Sequence, residues 1–172
     1  MIDDMTTKCL VRDALLAAVL LVVQISLSWL PNVELVSLLL IVYTLVFRKH
    51  VWGILYVFVA LEGLIYGFGL WWFSWLYVWS ILCGAVFLLW GDASPRPFSV
   101  SLLAAVFGML FGLFCAASYL FMGGPGAALA WWTAGIPFDI LHGAANFLVT
   151  LVLFQPLYSL LTRLKKLGNY KT

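Results

Sequence analysis

Charge is what this sequence has least of. Of 172 residues, nine are Lys or Arg and seven are Asp or Glu, 9% in all, where a water-soluble domain carries about a quarter. Such a chain cannot cover itself with polar surface, so lipid must cover it. Cysteine is scarce too. Cys9, Cys83 and Cys115 are odd in number and far apart, which fits neither a disulfide framework nor a metal site. There is no Walker A run, no His-Glu-x-x-His and no Gly-x-Ser-x-Gly. The chain therefore offers no nucleotide site and no hydrolase signature, and it reads as a non-enzyme without a cofactor or metal of its own. The net charge of +2 is no argument for nucleic acid, because the cations flank apolar runs. Met-Ile-Asp-Asp at the start is a poor signal-peptide n-region, so the first apolar run is expected to stay in the membrane.

What the sequence does have is apolar length: 65% hydrophobic and 17% aromatic residues. No Asp, Glu, Lys or Arg interrupts Ala14–Val33, Gly63–Gly91, Pro97–Phe138 or Ile140–Thr162. A spanning helix needs roughly 20 apolar residues. The expected class is an all-α membrane protein, one integral domain over 1–172. Six spans are expected at about Asp13–Leu30, Val33–Phe47, Val51–Gly69, Trp75–Trp90, Phe98–Phe121 and Pro137–Leu161.

The cations give this threading a direction. Lys8 and Arg12 precede the first run, Arg48 and Lys49 follow the second, and Arg96 follows the fourth. Arg163, Lys165, Lys166 and Lys171 follow the sixth. Cytoplasmic loops retain Lys and Arg, so both termini are expected inside. Loops near Pro31-Asn32, Gly69–Ser74 and Met122–Gly135 are expected outside. Pro137 suits the first position of a helix. Ala127–Ala134 is too short to cross and reads as an interfacial segment or lid.

Small residues four apart let helices approach closely in lipid. Ala14 and Ala18, Gly63 and Gly67, and the ladder Ala104, Gly108, Gly112 and Ala116 follow that spacing. Ordinary helix packing accounts for the later sets. Ala14 and Ala18, at the cytoplasmic end of the first span, suit docking by a second membrane protein.

Polar residues inside the runs stand out because a buried carboxylate is costly in lipid. Glu34, Glu62, Asp139, His142 and Asn146 all fall toward the expected outer side. Helix capping would account for Glu34 after Asn32, or for Asp139 after Pro137. Glu62 lies mid-helix and has no such explanation. Asp139, His142 and Asn146 share one helical face, which reads as a pocket wall or as a structural Asp139–His142 pair. Trp71, Trp72, Trp75, Tyr77, Trp79, Trp131 and Trp132 gather near the same side, as an interfacial belt or as stacking surfaces. The outer half holds three carboxylates and no Lys or Arg, which favours a neutral or cationic ligand over an anion.

These residues resemble a known family. The run Gly135-Ile136-Pro137-Phe138-Asp139-Ile140-Leu141-His142-Gly143-Ala144-Ala145-Asn146, with Ala14-x-x-x-Ala18, Pro31-Asn32-Val33-Glu34, Glu62-Gly63 and Tyr66-Gly67, is similar to the substrate-binding S components of energy-coupling factor (ECF) transporters, the vitamin importers of bacterial and archaeal cell membranes. The resemblance implies one small vitamin-like molecule bound near the outer face. It also implies assembly with a membrane scaffold (T) subunit and two cytoplasmic ATPases that consume ATP, and release of substrate by toppling of the S component. Ala14 and Ala18 would contact the scaffold. Tyr77, Trp79, Asp139, His142 and Asn146 would line the pocket, with Glu62 added from its own position in the third span. No signature in the chain selects riboflavin, thiamine, biotin, folate or a metal. Two other classes remain open at this point: a ligand-free membrane scaffold protein, and a stand-alone transporter in which Glu62 or Asp139 carries protons.

Overall fold

A computed structural model describes residues 4–91 and 93–167, with side chains from residue 7 onward. Asp92 and Lys171 of the expected loop and tail lie outside the described residues. Among those described, the fold is all-helical: α1 (Asp4–Leu27), α2 (Val36–Phe47), a 3₁₀ turn (Arg48–His50), α3 (Val51–Tyr66), α4 (Leu70–Trp90) and α5 (Pro97–Leu167). Four stretches are long and apolar enough to cross a membrane: Thr7–Leu27, Val36–Tyr66, Leu70–Trp90 and Pro97–Leu167. Leu15, Leu64, Leu88, Phe121 and Val152 stand among many large apolar side chains on the outside. That surface suits membrane insertion and would be a liability in water.

α2 is the axis of the bundle. It is apolar on every side, and all its residues except Leu45 are buried, as expected of a helix with no polar face. α5 and α4 pack on it most extensively, while α1 packs mainly on α3. At twelve residues α2 is about 18 Å long, short of the ~30 Å hydrocarbon core. The non-helical segment 31–35 precedes it.

α5 runs for 71 residues, but Gly124 breaks it with φ 72° and ψ −172°. That conformation is essentially restricted to glycine. Beyond it the chain returns on itself. Tyr119 stacks on Trp131 at 4.3 Å, Gly112 meets Asp139, and Gly108 lies against the backbone of Gly143. The first arm (97–123) and second arm (125–167) are thus an antiparallel hairpin in constant register. The small-residue ladder is its seam: a Cβ at Gly108 would lie 2.9 Å from Gly143 Cα.

Three expectations change here. Ala127–Ala134 is helical and continuous with the last helix, so it forms the base of the second arm rather than an interfacial lid. The helix starts at Pro125, next to the Gly124 break, and Pro137 lies inside it. Proline's missing N–H marks a helix start equally well at either position, and only the break decides between them. α1 also begins earlier than the apolar run, at Asp4. Hydropathy locates the lipid-compatible part of a helix, not its end.

The bundle's two ends differ in charge. At one end Arg12 bonds Asp13 at 2.6 Å and Asp13 bonds His50 at 2.9 Å. The Arg48 guanidinium donates to the Gly91 carbonyl and lies 5.0 Å from the Phe87 ring centre. Lys165 donates to the Val46 carbonyl at 2.8 Å. Arg48 itself has φ 58°, an uncommon conformation for a residue with a side chain, and these contacts hold it. The Gly124 tip and the 31–35 linker lie toward the other end.

Candidate functional site

The linker end borders an open cavity of about 310 Å³. Its irregular wall is the 31–34 segment, which Asn32 turns with φ 59°. Asparagine is one of the few residues with a side chain that enters this region readily. Gln24 and Leu27 of the last turn of α1, and Ser28 just beyond it, close one side. Trp75 and Trp79 of α4, Phe111 of the first arm, and Asp139 and His142 of the second arm make the remainder.

The aromatic rings form a continuous wall. Trp75 meets Trp79 edge-on at 5.7 Å, Trp79 meets Phe111 at 5.5 Å, and Phe111 meets the His142 ring at 5.0 Å. Edge and tilted contacts at these distances are favourable ring geometries, and they leave ring surface toward the cavity.

Glu34 joins the two readings the sequence left open. One carboxylate oxygen accepts the Ser37 N–H at 2.8 Å, satisfying one of the four unpaired donors at the start of α2. The other lies 3.3 Å from His142 Nε2. Glu34 is therefore both a helix cap and a cavity residue, and it is Glu34 that hydrogen-bonds His142.

Asp139 turns to the other arm instead. Its Oδ1 accepts the Gly112 N–H at 3.0 Å, which is possible because residue 112 has no Cβ: one there would collide with Oδ2 and lie 2.8 Å from Oδ1. Its Oδ2 is buried without a hydrogen-bond partner. The Trp79 indole N–H is likewise buried and unpartnered. Asp139 and Phe111 also border a second cavity of about 360 Å³ between the arms of α5, where Cys115, Trp131 and Phe138 contribute.

The six expected pocket residues thus separate. Trp79, Asp139 and His142 line the first cavity. Tyr77 does not: its hydroxyl donates to the Phe114 carbonyl at 2.7 Å and lies 3.0 Å from Ser118 Oγ, tying α4 to α5. Asn146 Nδ2 donates to Ser37 Oγ at 3.3 Å, one step behind the cavity. Glu62 is 1% exposed with one carboxylate oxygen unpartnered, but it stands outside the cavity wall. Ala14 and Ala18 are exposed on the outer face of α1, while Ala17 and Leu20 turn inward.

Sequence reasoning missed Gln24, Phe111 and, as a cavity residue, Trp75. Gln24 carried a usable signal, being the one long polar side chain in an apolar run. Phe111 carried only its place beside Gly112 in the ladder. Thr150, buried one further step along the Asp139–His142–Asn146 face, also continues that polar stripe.

No family model matches this chain, and neither a curated protein nor a solved structure matches it.

Proposed function

We propose that this chain is the substrate-binding S component of an ECF-type importer, which takes a small vitamin-like heterocycle, neutral or cationic, at the outer face. In this reading α1–α4 and the two arms of α5 cross the membrane as six spans with both termini in the cytoplasm. The cation-bearing end is the cytoplasmic one, by the retention of Lys and Arg on that side. The observation that carries the reading is the cavity at the opposite end, lined by irregular backbone, an aromatic wall and the polar residues Glu34, Asp139 and His142. Pre-formed concave sites with a few directed polar groups are the usual form of small-molecule sites. A purely structural bundle has no need for them.

The remaining parts follow from the family resemblance, and the outer surface is compatible with them. α1 is the most peripheral helix, and the exposed Ala14 and Ala18 leave a shallow strip on which a scaffold helix can lie closely. ATP hydrolysis by two partner subunits supplies the energy. Mass spectrometry of the molecule that co-purifies with the protein tests the reading, together with uptake assays with and without the ATPase module. A bound heterocycle and uptake that stops without the ATPases are the expected results. A ligand-free cavity in freshly purified protein, with uptake absent under all conditions, would leave the scaffold-protein reading.

One observation favours a second reading. Glu62 is a buried carboxylic acid with an unpartnered oxygen in the middle of α3, and such residues serve proton relays in stand-alone transporters. Uptake that persists without ATPases, follows a pH gradient and stops in Glu62→Gln would establish it.

A further inference from the structure

The polar side chains that border the linker-end cavity, indoles apart, are Gln24, Ser28, Asn32, Glu34, Asp139 and His142. Most are already engaged. Asp139 is held on the Gly112 N–H, with its other oxygen buried against that residue. One oxygen of Glu34 accepts the Ser37 N–H and the other meets His142 Nε2. The Ser28 hydroxyl donates to the Ile25 carbonyl at 2.8 Å. What remains is a pair of neutral amides, Gln24 and Asn32. Among the described residues neither side-chain amide has a hydrogen-bond partner, and both residues are half-buried, so neither amide is sealed in by protein.

Gln24 stands on the inward face of α1. Ala17 and Leu20 of that face are fully buried, and residues 17, 20 and 24 follow the spacing of one helical stripe. A polar amide in an apolar helix is costly until it finds a partner. Asn32 carries the linker turn at φ 59°, a conformation that glycine adopts more easily, so the turn alone does not call for an amide. Each of the two amides has a carbonyl that accepts and an NH₂ that donates. A ligand whose edge sets an N–H beside a C=O answers both.

We propose that the cavity reads the amide edge of an uncharged ring, a lactam or cyclic imide, through Gln24 and Asn32, and that its carboxylates do not read charge. This rests on the reading of the cavity as the substrate site, and it selects the neutral class of the two admitted there. Trp75, Trp79 and Phe111 supply an apolar wall for such a ring. A ligand cation finds both carboxylates already engaged, so it gains no fresh ion pair to offset its desolvation. The volume of about 310 Å³ lies at the lower end of ligand pockets, roughly 300–1,000 Å³, so the recognised part is one ring or two fused rings.

Three probes test this by calorimetry on the purified full chain in detergent. Uracil is neutral with an imide edge. In 1,3-dimethyluracil the ring and both carbonyls stay but the N–H groups are gone. In 5-aminomethyluracil the imide edge stays and a cation is added. Uracil should bind at least tenfold more tightly than 1,3-dimethyluracil, and 5-aminomethyluracil no more tightly than uracil. Gln24→Leu, apolar like the rest of its run, and Asn32→Gly, which accepts the same backbone turn, should each weaken uracil severalfold. A gap to 1,3-dimethyluracil below tenfold overturns the proposal, as does tighter binding of 5-aminomethyluracil than of uracil. Undiminished uracil affinity in either variant also overturns it, and so does no binding of any probe at millimolar concentration. If one variant does not fold, the other variant and the ranking on the unaltered chain still decide. A chain that ranks the probes as expected but transports without ATPases keeps this inference and loses the importer reading. A chain that works with ATPases and prefers 5-aminomethyluracil does the reverse.

Discussion

The backbone N–H of Gly112 donates to Asp139 Oδ1 at 3.0 Å, linking the two arms of α5 across 27 residues of sequence. The contact places an acidic side chain against a helix backbone, and only the missing Cβ makes room for it. It also leaves the other carboxylate oxygen, Oδ2, buried against Gly112 without a hydrogen-bond partner.

Gly112→Ala should therefore act on stability and binding together. The added methyl would collide with Asp139 Oδ2 and come within 2.8 Å of Oδ1, and overpacking of this kind costs about 1–3 kcal/mol. Thermal unfolding in detergent should show the loss. Ligand calorimetry should show weakened binding as Asp139 is displaced. A variant as stable and as active as the parent would mean the two arms do not meet at this register.

Glu34 lends itself to a graded test. Glu34→Gln keeps an oxygen for the Ser37 N–H but removes the charge facing His142. Glu34→Ala removes both, leaving a helix donor and a histidine without their partner. Loss of a capping acceptor costs about 0.5–2 kcal/mol, so the alanine variant should melt below the glutamine variant, and that below the parent. Both should bind ligand more weakly, because both loosen His142 in the cavity wall. Equal melting of the two variants would remove the capping role.

Tyr77→Phe separates framework from pocket. The hydroxyl serves the Phe114 carbonyl and Ser118, and a buried hydrogen bond contributes about 1 kcal/mol net, with more lost when partners stay unsatisfied. Stability should fall by about 1–2 kcal/mol while ligand affinity stays within twofold of the parent. An affinity loss of tenfold or more would return Tyr77 to the ligand site that its sequence position suggested.

The α1 surface is tested by Ala14→Leu with Ala18→Leu. Both positions are exposed, so the larger side chains meet nothing within the chain. Folding and ligand binding should be unchanged. Under the proposed importer function, co-purification with a scaffold subunit and ATP-dependent uptake should be lost. Loss of binding alone would place the pair in the fold or the pocket.

Asp139, His142 and Asn146 show how far periodicity reaches. Their spacing put them on one face of one helix, and they do share it. Periodicity could not assign their separate partners: Gly112 for Asp139, Glu34 for His142, Ser37 for Asn146. Two of those contacts cross more than a hundred residues of sequence. The turn chemistry misled at one place, where Pro125 and Pro137 both satisfied the rule for a helix start. Tyr77 and Trp79 lie two residues apart in one aromatic run, yet one braces two helices and the other faces the cavity. A difference of about 200° around a helix separates those fates, and nothing local says which direction is inward.

Composition by itself determined that the chain must be helical and lipid-compatible, because so few charges leave lipid as the one solvent for its surface and lipid leaves no exposed backbone unpaired. The spacing of its small and polar residues determined which of them could share a helix face. Only the tertiary structure decided that a bent linker, the start of α4 and a hairpin closed at Gly124 would converge on one cavity. Convergence depends on how helices rotate and cross, and those angles are set by packing against the buried α2, which no single segment encodes.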